Sequence, residues 1–203
     1  MARRRLTLAN THRLRIELHR AHSEIAALRQ ECVAYSLEVD RLRIETYTDP
    51  LTGAYNRTGL RHIWAEVARD LTAVFVLDCD HFKRINDRYG HGAGDIVICH
   101  IAEIIRAHGI IVARTMGDEF IGLITQSEQS PEVLVDQLRL AIAKPRSING
   151  NTIEATATIG ICLVDQGSNG PTSSQVDYLD QADTALYQGK RAGRNTIVTT
   201  KIE

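Results

Sequence analysis

The chain has 203 residues, 43% hydrophobic and 24% charged, with a formal net charge of −1, which suits one globular domain of ordinary size plus an appendage. That near-neutral balance gives no electrostatic footing for nucleic acid or a membrane surface, and no apolar run reaches the ~20 residues that a membrane span needs. The four cysteines (Cys32, Cys79, Cys99, Cys162) form no CxxC pair and the eight histidines show no HExxH-like spacing, so neither a zinc site nor a disulfide framework is indicated.

The basic start, MARRRLTLANTHRLR, is not followed by an uninterrupted apolar segment and is not read as a signal peptide. The expected location is the cytoplasm, with free thiols. Residues 11 to 46 then carry a heptad pattern without proline or glycine. One seam position falls on Thr11, Leu18, Ile25, Cys32, Val39 and Thr46, the other on Leu14, Ala21, Leu28, Tyr35 and Leu42. Glutamates 17, 24, 31, 38 and 45 flank one shoulder, and Arg15, His22, Arg29, Ser36 and Arg43 the other. In a parallel two-stranded coiled coil this arrangement pairs Glu24 with Arg29 and Glu38 with Arg43 across the interface. The expectation is a dimerising rod roughly 50 Å long; a lone amphipathic helix packed on the domain is the alternative.

Pro50 and Gly53 in TYTDPLTGAYNR end the helical pattern, with Asp49 placed to cap the next element. A helix is expected from about Thr58 to Arg69, then a buried central strand, Ala73 to Asp78. Residues 94 to 108 read as a helix. Ile110 to Ala113 and Phe120 to Ile124 read as a β-hairpin around the polar centre RTMGDEF. Ser130 caps a helix from Pro131 to about Ala143, and Pro145 to Asn151 is a loop. Thr152 to Val164 alternates like one half-buried strand. A polar loop, Gln166 to Ser174, leads to a helix from Val176 to Ala192 and a strand from Thr196 to Thr200. This order predicts an α+β fold, a mixed central sheet covered by helices. The boundaries are an N-terminal helix over 1–46 and a globular domain over 47–203.

Asp118 and Glu119 lie at or just past the hairpin turn. Two adjacent negative charges repel unless a cation or solvent is near, and an exposed acidic turn is the ordinary reading of such a pair. Asp78, ending the buried strand, changes that reading: if the strands are neighbours, three carboxylates converge. Hard oxygen ligands of this kind suit Mg²⁺ held together with substrate phosphates. Paired ions there would activate an attacking hydroxyl and neutralise a leaving pyrophosphate. Lys83, Lys190 and Arg194 are cations available to phosphates, though a single lysine is more often a solvated surface charge.

The set DPLTGAYNR, LDCDHFKRINDRYGHGAGD, RTMGDEF, ATATIGI and ADTALYQGKRAGRN, in this order, resembles a GGDEF domain, the diguanylate cyclase family, over about Thr48 to Val198. The resemblance implies a palm-like nucleotidyl-cyclase fold. It also implies condensation of two GTP molecules into cyclic di-GMP with release of pyrophosphate, by a bacterial second-messenger enzyme. Carried over by position, Asp78, Asp118 and Glu119 are metal ligands, with the backbone carbonyl of Cys79 assisting. Two Mg²⁺ per active site are expected, with Mn²⁺ as a substitute. Glu119 also helps deprotonate the 3′-hydroxyl. Asn86 and Asp95 match the guanine-binding positions, Phe82 and Lys83 the phosphate loop, and Lys190 and Arg194 the triphosphate clamp. A carboxylate accepting from guanine N1–H and the 2-amino group rejects adenine, which argues against a cyclase accepting ATP.

Two positions depart from the family pattern. Met116 replaces the first glycine of the signature, where glycine would accept positive φ and a close nucleotide. The second reading is accordingly a degenerate module that binds GTP or a partner without turnover. The RxxD product-inhibition site is expected to be absent, since Ala107 and Ile110 stand at its positions and Arg106 is one residue out of register. Each domain would bind one GTP, so the chemistry calls for a homodimer through residues 11–46 with facing sites. No sensor domain is read in the sequence, leaving an upstream partner, the basic N-terminus or constitutive activity.

Overall fold

The computed structural model describes residues 2–167 and 170–202; the side chains of residues 2–12, Ile16 and Gln166, and with them the seam position Thr11, lie outside that description. The chain divides into two compact units, Met1–Glu45 and Thr46–Glu203.

The first unit belongs to helix α1 (Ala2–Tyr47). Its described seam residues, Leu14, Leu18, Ile25, Leu28, Tyr35, Val39 and Leu42, are all exposed in the single chain. Ion pairs one turn apart support the helix locally: Arg13 to Glu17 at 3.0 Å and Arg41 to Glu45 at 3.0 Å. Exposed pairs of this spacing contribute a few tenths of a kcal/mol each. No described helix is long and apolar enough to cross a membrane.

In the second unit α2 (Arg57–Val67) is capped by Asn56, whose side chain accepts from Thr58 N and Gly59 N. The sequence pointed to Asp49 as a cap, and the structure assigns it differently. Asp49 closes a tight turn, accepting from Thr52 N at 2.9 Å and Thr52 Oγ1 at 2.7 Å. After β1 (Leu71–Cys79) come α3 (Phe82–Tyr89) and α4 (His91–Ala107). The hairpin is β2 (Ile111–Met116) and β3 (Glu119–Thr125), followed by α5 (Pro131–Ile142) under its Ser130 cap. The expected loop at 145–151 and long strand at 152–164 resolve into a small hairpin, β4 (Arg146–Ile148) with β5 (Asn151–Ile153), and a separate β6 (Ala157–Leu163). A short pairing, β7 (Gln166–Gly167) with β8 (Gly170–Pro171), flanks residues 168 and 169, which lie outside the described residues. Helix α6 (Gln175–Arg191), with a Ser174–Asp177 capping box, leads to β9 (Ile197–Lys201).

Five strands form the main sheet in the order β2-β3-β1-β6-β9. All its pairings are antiparallel except β6 with β9, which is parallel. The α+β expectation of a mixed sheet is met. Because successive side chains point to opposite faces, β1 supplies two cores. Phe75 and Leu77 pack with Ile85, Val97, Ile101 and Leu138 from α3, α4 and α5. Val74 and Val76 pack with Leu60, Trp64, Tyr178 and Leu186 from α2 and α6. The central strand is thus apolar on both faces until Asp78 and buried throughout its middle.

Candidate active site

Alternation puts Asp78 on the α2/α6 face, in line with Val74 and Val76. Its partner across the β1–β3 ladder is Glu119, the first residue of β3. Like charges directly opposite destabilise a sheet, and the countercharge comes from α6: Lys190 Nζ lies 2.9 Å from Asp78 Oδ2. Asp118 occupies the turn between β2 and β3. Burial, and then the Asp78 charge, push the Asp118 carboxyl above its ordinary value; Lys190 counteracts this and Glu119 adds to it. The Cys79 amide donates to the Asp118 carbonyl at 3.3 Å, closing the turn onto the end of β1. Burial raises the Cys79 thiol, and the charges of Asp118, Asp80 and Asp78 raise it further. Thr115 Oγ1 donates to Glu119 Oε2 at 3.1 Å, fixing that carboxylate from the hairpin side.

Among the described residues no three His, Cys, Asp or Glu side chains are gathered closely enough to hold a metal by themselves. The donor set still fits a hard divalent cation of the kind that keeps water and phosphate ligands instead of an all-protein cage. Burial and the Asp78 charge oppose ionisation of Asp118, a single ammonium sits on Asp78, and a cation there would favour the charged form of Asp118. Asp78, Asp118 and the Cys79 carbonyl are the groups that would hold it, with Glu119 alongside.

The turn itself accounts for the methionine. Gly117 has φ of +54°, whereas Met116 is not among the residues with positive φ. The left-handed position therefore falls on the glycine that the chain retains, and Met116 turns outward with 67% exposure.

The residues expected to bind guanine lie elsewhere. Phe82 and Lys83 open α3, and Asn86 lies one turn further along. Asn86 Oδ1 is buried without a hydrogen-bond partner and lies 1.9 Å from where a Cβ on Gly94 would be, with the Phe82 ring at 3.1 Å. Gly94 thus makes the space in which Asn86 and Phe82 meet. Asp95, the next residue of α4, is exposed, as are Lys83 and Arg194. Among the described residues no ion pair joins Lys83 or Arg194 to the three carboxylates. Arg194 follows α6 with φ of +66°.

A family model described as diguanylate cyclase, GGDEF domain, matches residues 46–196. The chain belongs to the GGDEF family. It is 36% identical over 185 residues to Diguanylate cyclase DgcP of Pseudomonas aeruginosa, covering 85% of this chain and 27% of that protein. It is also 35% identical over 158 residues to Cyclic di-GMP phosphodiesterase NbdA of the same organism, covering 72% of this chain and 20% of that protein. The chain therefore corresponds to a minor part of either relative. The coiled coil and GGDEF domain of DgcB from Caulobacter crescentus, solved in complex with c-di-GMP, matches with a TM-score of 0.74 at 24% identity, covering 88% of this chain and 98% of that one. That likeness establishes the fold.

Several residues of this GGDEF domain escaped the sequence reading. Arg114 Nε donates to the Gly117 carbonyl at 2.8 Å, and its Nη1 reaches both Asp49 oxygens at 3.0 and 3.2 Å. One guanidinium thus joins the signature turn to the Asp49 turn. Arg106 Nη1 donates to the Thr52 carbonyl at 3.0 Å, so this arginine is engaged with that turn. Ile110 is buried. Asp80, the second acid of Asp78-Cys79-Asp80, is 4% exposed, and its oxygens are taken up by Thr156, Thr158 and Asn195. Its hint in the sequence was the D-x-D spacing. A cleft of about 730 Å³ on one flank of α3, lined by His81, Arg84, Arg88 and Glu154, contains none of the expected site residues.

Proposed function

We propose that this GGDEF domain condenses two GTP molecules into cyclic di-GMP with release of pyrophosphate, as a homodimer with facing active sites. The observation that carries the reading is the register of Asp78 against Glu119, with Asp118 beside them and Lys190 on Asp78. A carboxyl such as Asp118, whose ionisation is opposed by burial and a neighbouring charge, is a mark of functional sites. Mg²⁺, with Mn²⁺ as a substitute, would neutralise phosphate charge and favour ionisation of the attacking hydroxyl.

The chain's own residues divide the remaining work. Asn86 and Asp95 hydrogen-bond guanine; the buried, unpartnered Asn86 Oδ1 is an acceptor suited to its 2-amino group. An acidic acceptor at Asp95 disfavours adenine, which lacks the matching donor pair. Phe82 and Lys83, at the start of α3, face the phosphates, and Lys190 and Arg194 clamp the triphosphate. Glu119 helps take the proton of the 3′-hydroxyl. Two such sites meet because α1 pairs through residues 11–46, which raises the effective concentration of the second domain. With Ala107 and Ile110 at the RxxD positions, product feedback at that site is absent.

A second reading, a module that binds GTP without turnover, rests on Met116. The outward side chain and the retained Gly117 remove most of its force. The test is purified protein with GTP and Mg²⁺, assayed for cyclic di-GMP and pyrophosphate across protein concentration. Turnover that rises with dimer formation supports the cyclase. Bound GTP without product supports the module. A variant lacking residues 1–46 that works equally fast at low concentration would remove α1 from the reading.

A further inference from the structure

Asp80 makes more hydrogen bonds than any acid of the active site, yet its carboxylate faces the scaffold. Oδ1 accepts from Thr158 Oγ1 at 2.6 Å. Oδ2 accepts from Thr156 Oγ1 at 2.8 Å and from the Asn195 amide at 3.0 Å. Asp80 N donates to the Thr156 carbonyl at 2.8 Å. One buried side chain therefore ties the end of β1, the start of β6 and the loop between α6 and β9. Buried acids persist where hydrogen bonds to the charged form replace water, and three donors do so here.

The loop it holds is strained. Arg194 and Asn195 have φ of +66° and +44° in succession. Asparagine visits that region with little penalty, but arginine does so at a cost and stays only when its surroundings enforce it. Two further anchors supply that enforcement. Arg194 N donates to the Gly189 carbonyl at 3.1 Å. Arg139 Nη1, from α5, donates to the Asn195 carbonyl at 3.2 Å and to its Oδ1 at 2.9 Å. Arg139 is itself fixed by Asp136, at 2.8 Å.

We infer that Asp80 and Arg139 are positioning residues for the phosphate end of the nucleotide site: together they hold the α6–β9 loop in the left-handed conformation that aims Arg194. The inference rests on the proposed role of Arg194 as a triphosphate contact. It differs from a purely structural role in what it predicts for ligands with and without phosphates. Full-length protein with Mg²⁺ is titrated calorimetrically with a non-hydrolysable GTP analogue and, separately, with guanosine. Asp80→Asn and Arg139→Ala are each expected to weaken the analogue about tenfold and leave guanosine unchanged.

Equal losses for both ligands, or no loss, overturn the inference. If Asp80→Asn lacks a cooperative melt, Arg139→Ala carries the same expectation from outside the buried network. A wild-type chain that binds neither ligand overturns the GTP reading and this one with it. Wild-type binding matched by both variants overturns this one alone.

Discussion

Asp78 and Glu119 stand opposite each other on neighbouring antiparallel strands, and the nearby ammonium, Lys190, is committed to Asp78. A pair placed that way weakens the sheet it belongs to, so removing one charge should help the fold while ending the chemistry. Glu119→Gln is expected to lower turnover by at least about a hundredfold, in line with loss of a positioned acid–base group. In the absence of Mg²⁺ its melting temperature should equal or exceed that of the wild type, since relief of a like-charge pair is worth up to about 1 kcal/mol. Thermal melts without metal, set beside product assays with it, read both effects. A variant that melts clearly lower would mean Glu119 is a structural acid.

Gly94 is the residue on which the proposed guanine end depends. Any Cβ there would meet Asn86 Oδ1 at 1.9 Å and the Phe82 ring at 3.1 Å. Gly94→Ala should displace Asn86 and weaken GTP binding at least tenfold, with a stability loss of about 1–3 kcal/mol as in other overpacked sites. Nucleotide titration and chemical denaturation of the same preparation check the two figures. Unchanged affinity would remove Asn86 from the binding site.

Met116→Gly should leave turnover equal to the wild type or raise it. Position 116 does not require positive φ and its side chain points outward. Added backbone freedom at an extended position should cost up to about 1 kcal/mol of stability. A clear fall in activity would give the methionine a role of its own.

The Asp49 turn predicts a pH dependence. Burial alone would raise the Asp49 carboxyl, but hydrogen bonds from Thr52 and Arg114 outweigh it, and the folded value lies below the ordinary one. A depressed acid contributes stability that is present above the unfolded value, near 3.9, and lost as pH falls through the folded value. Asp49→Asn should therefore destabilise the domain by about 1.5–3 kcal/mol at neutral pH, the range for hydrogen bonds to a charged group. The gap to the wild type should close in acid below the usual carboxylate range. Melting curves from pH 7 to pH 3 test the sign.

Much of the sheet was legible because its strands are short β-branched runs bounded by turn residues. The hairpin, the central strand and the capped α5 all lie where periodicity put them. Helix α3 was not read, because HFKRINDRYG is short and mostly polar, and tertiary packing of Ile85 and Phe82 selects its helical form. The break before β6 was hidden by alternation that runs unbroken from Thr152 to Val164; the interruption comes from Thr156, which turns to Asp80. The carboxylates of the candidate site were legible through motif order. Their supports were not: Arg114 meets Asp49 at a separation of 65 residues and Asp80 meets Asn195 at 115, and no local pattern encodes a contact that distant.

The parallel seating of β9 against β6 has a consequence for biosynthesis. A nascent chain emerging from the ribosome already owns its acidic residues by the time β3 is made, but the loop bearing Arg194 and its tether at Asn195 are translated much later. Contacts of such long range form slowly. Asn195 can reach Asp80 only once the chain has been made almost to its last strand, so the donor set of that buried carboxylate is completed late in synthesis.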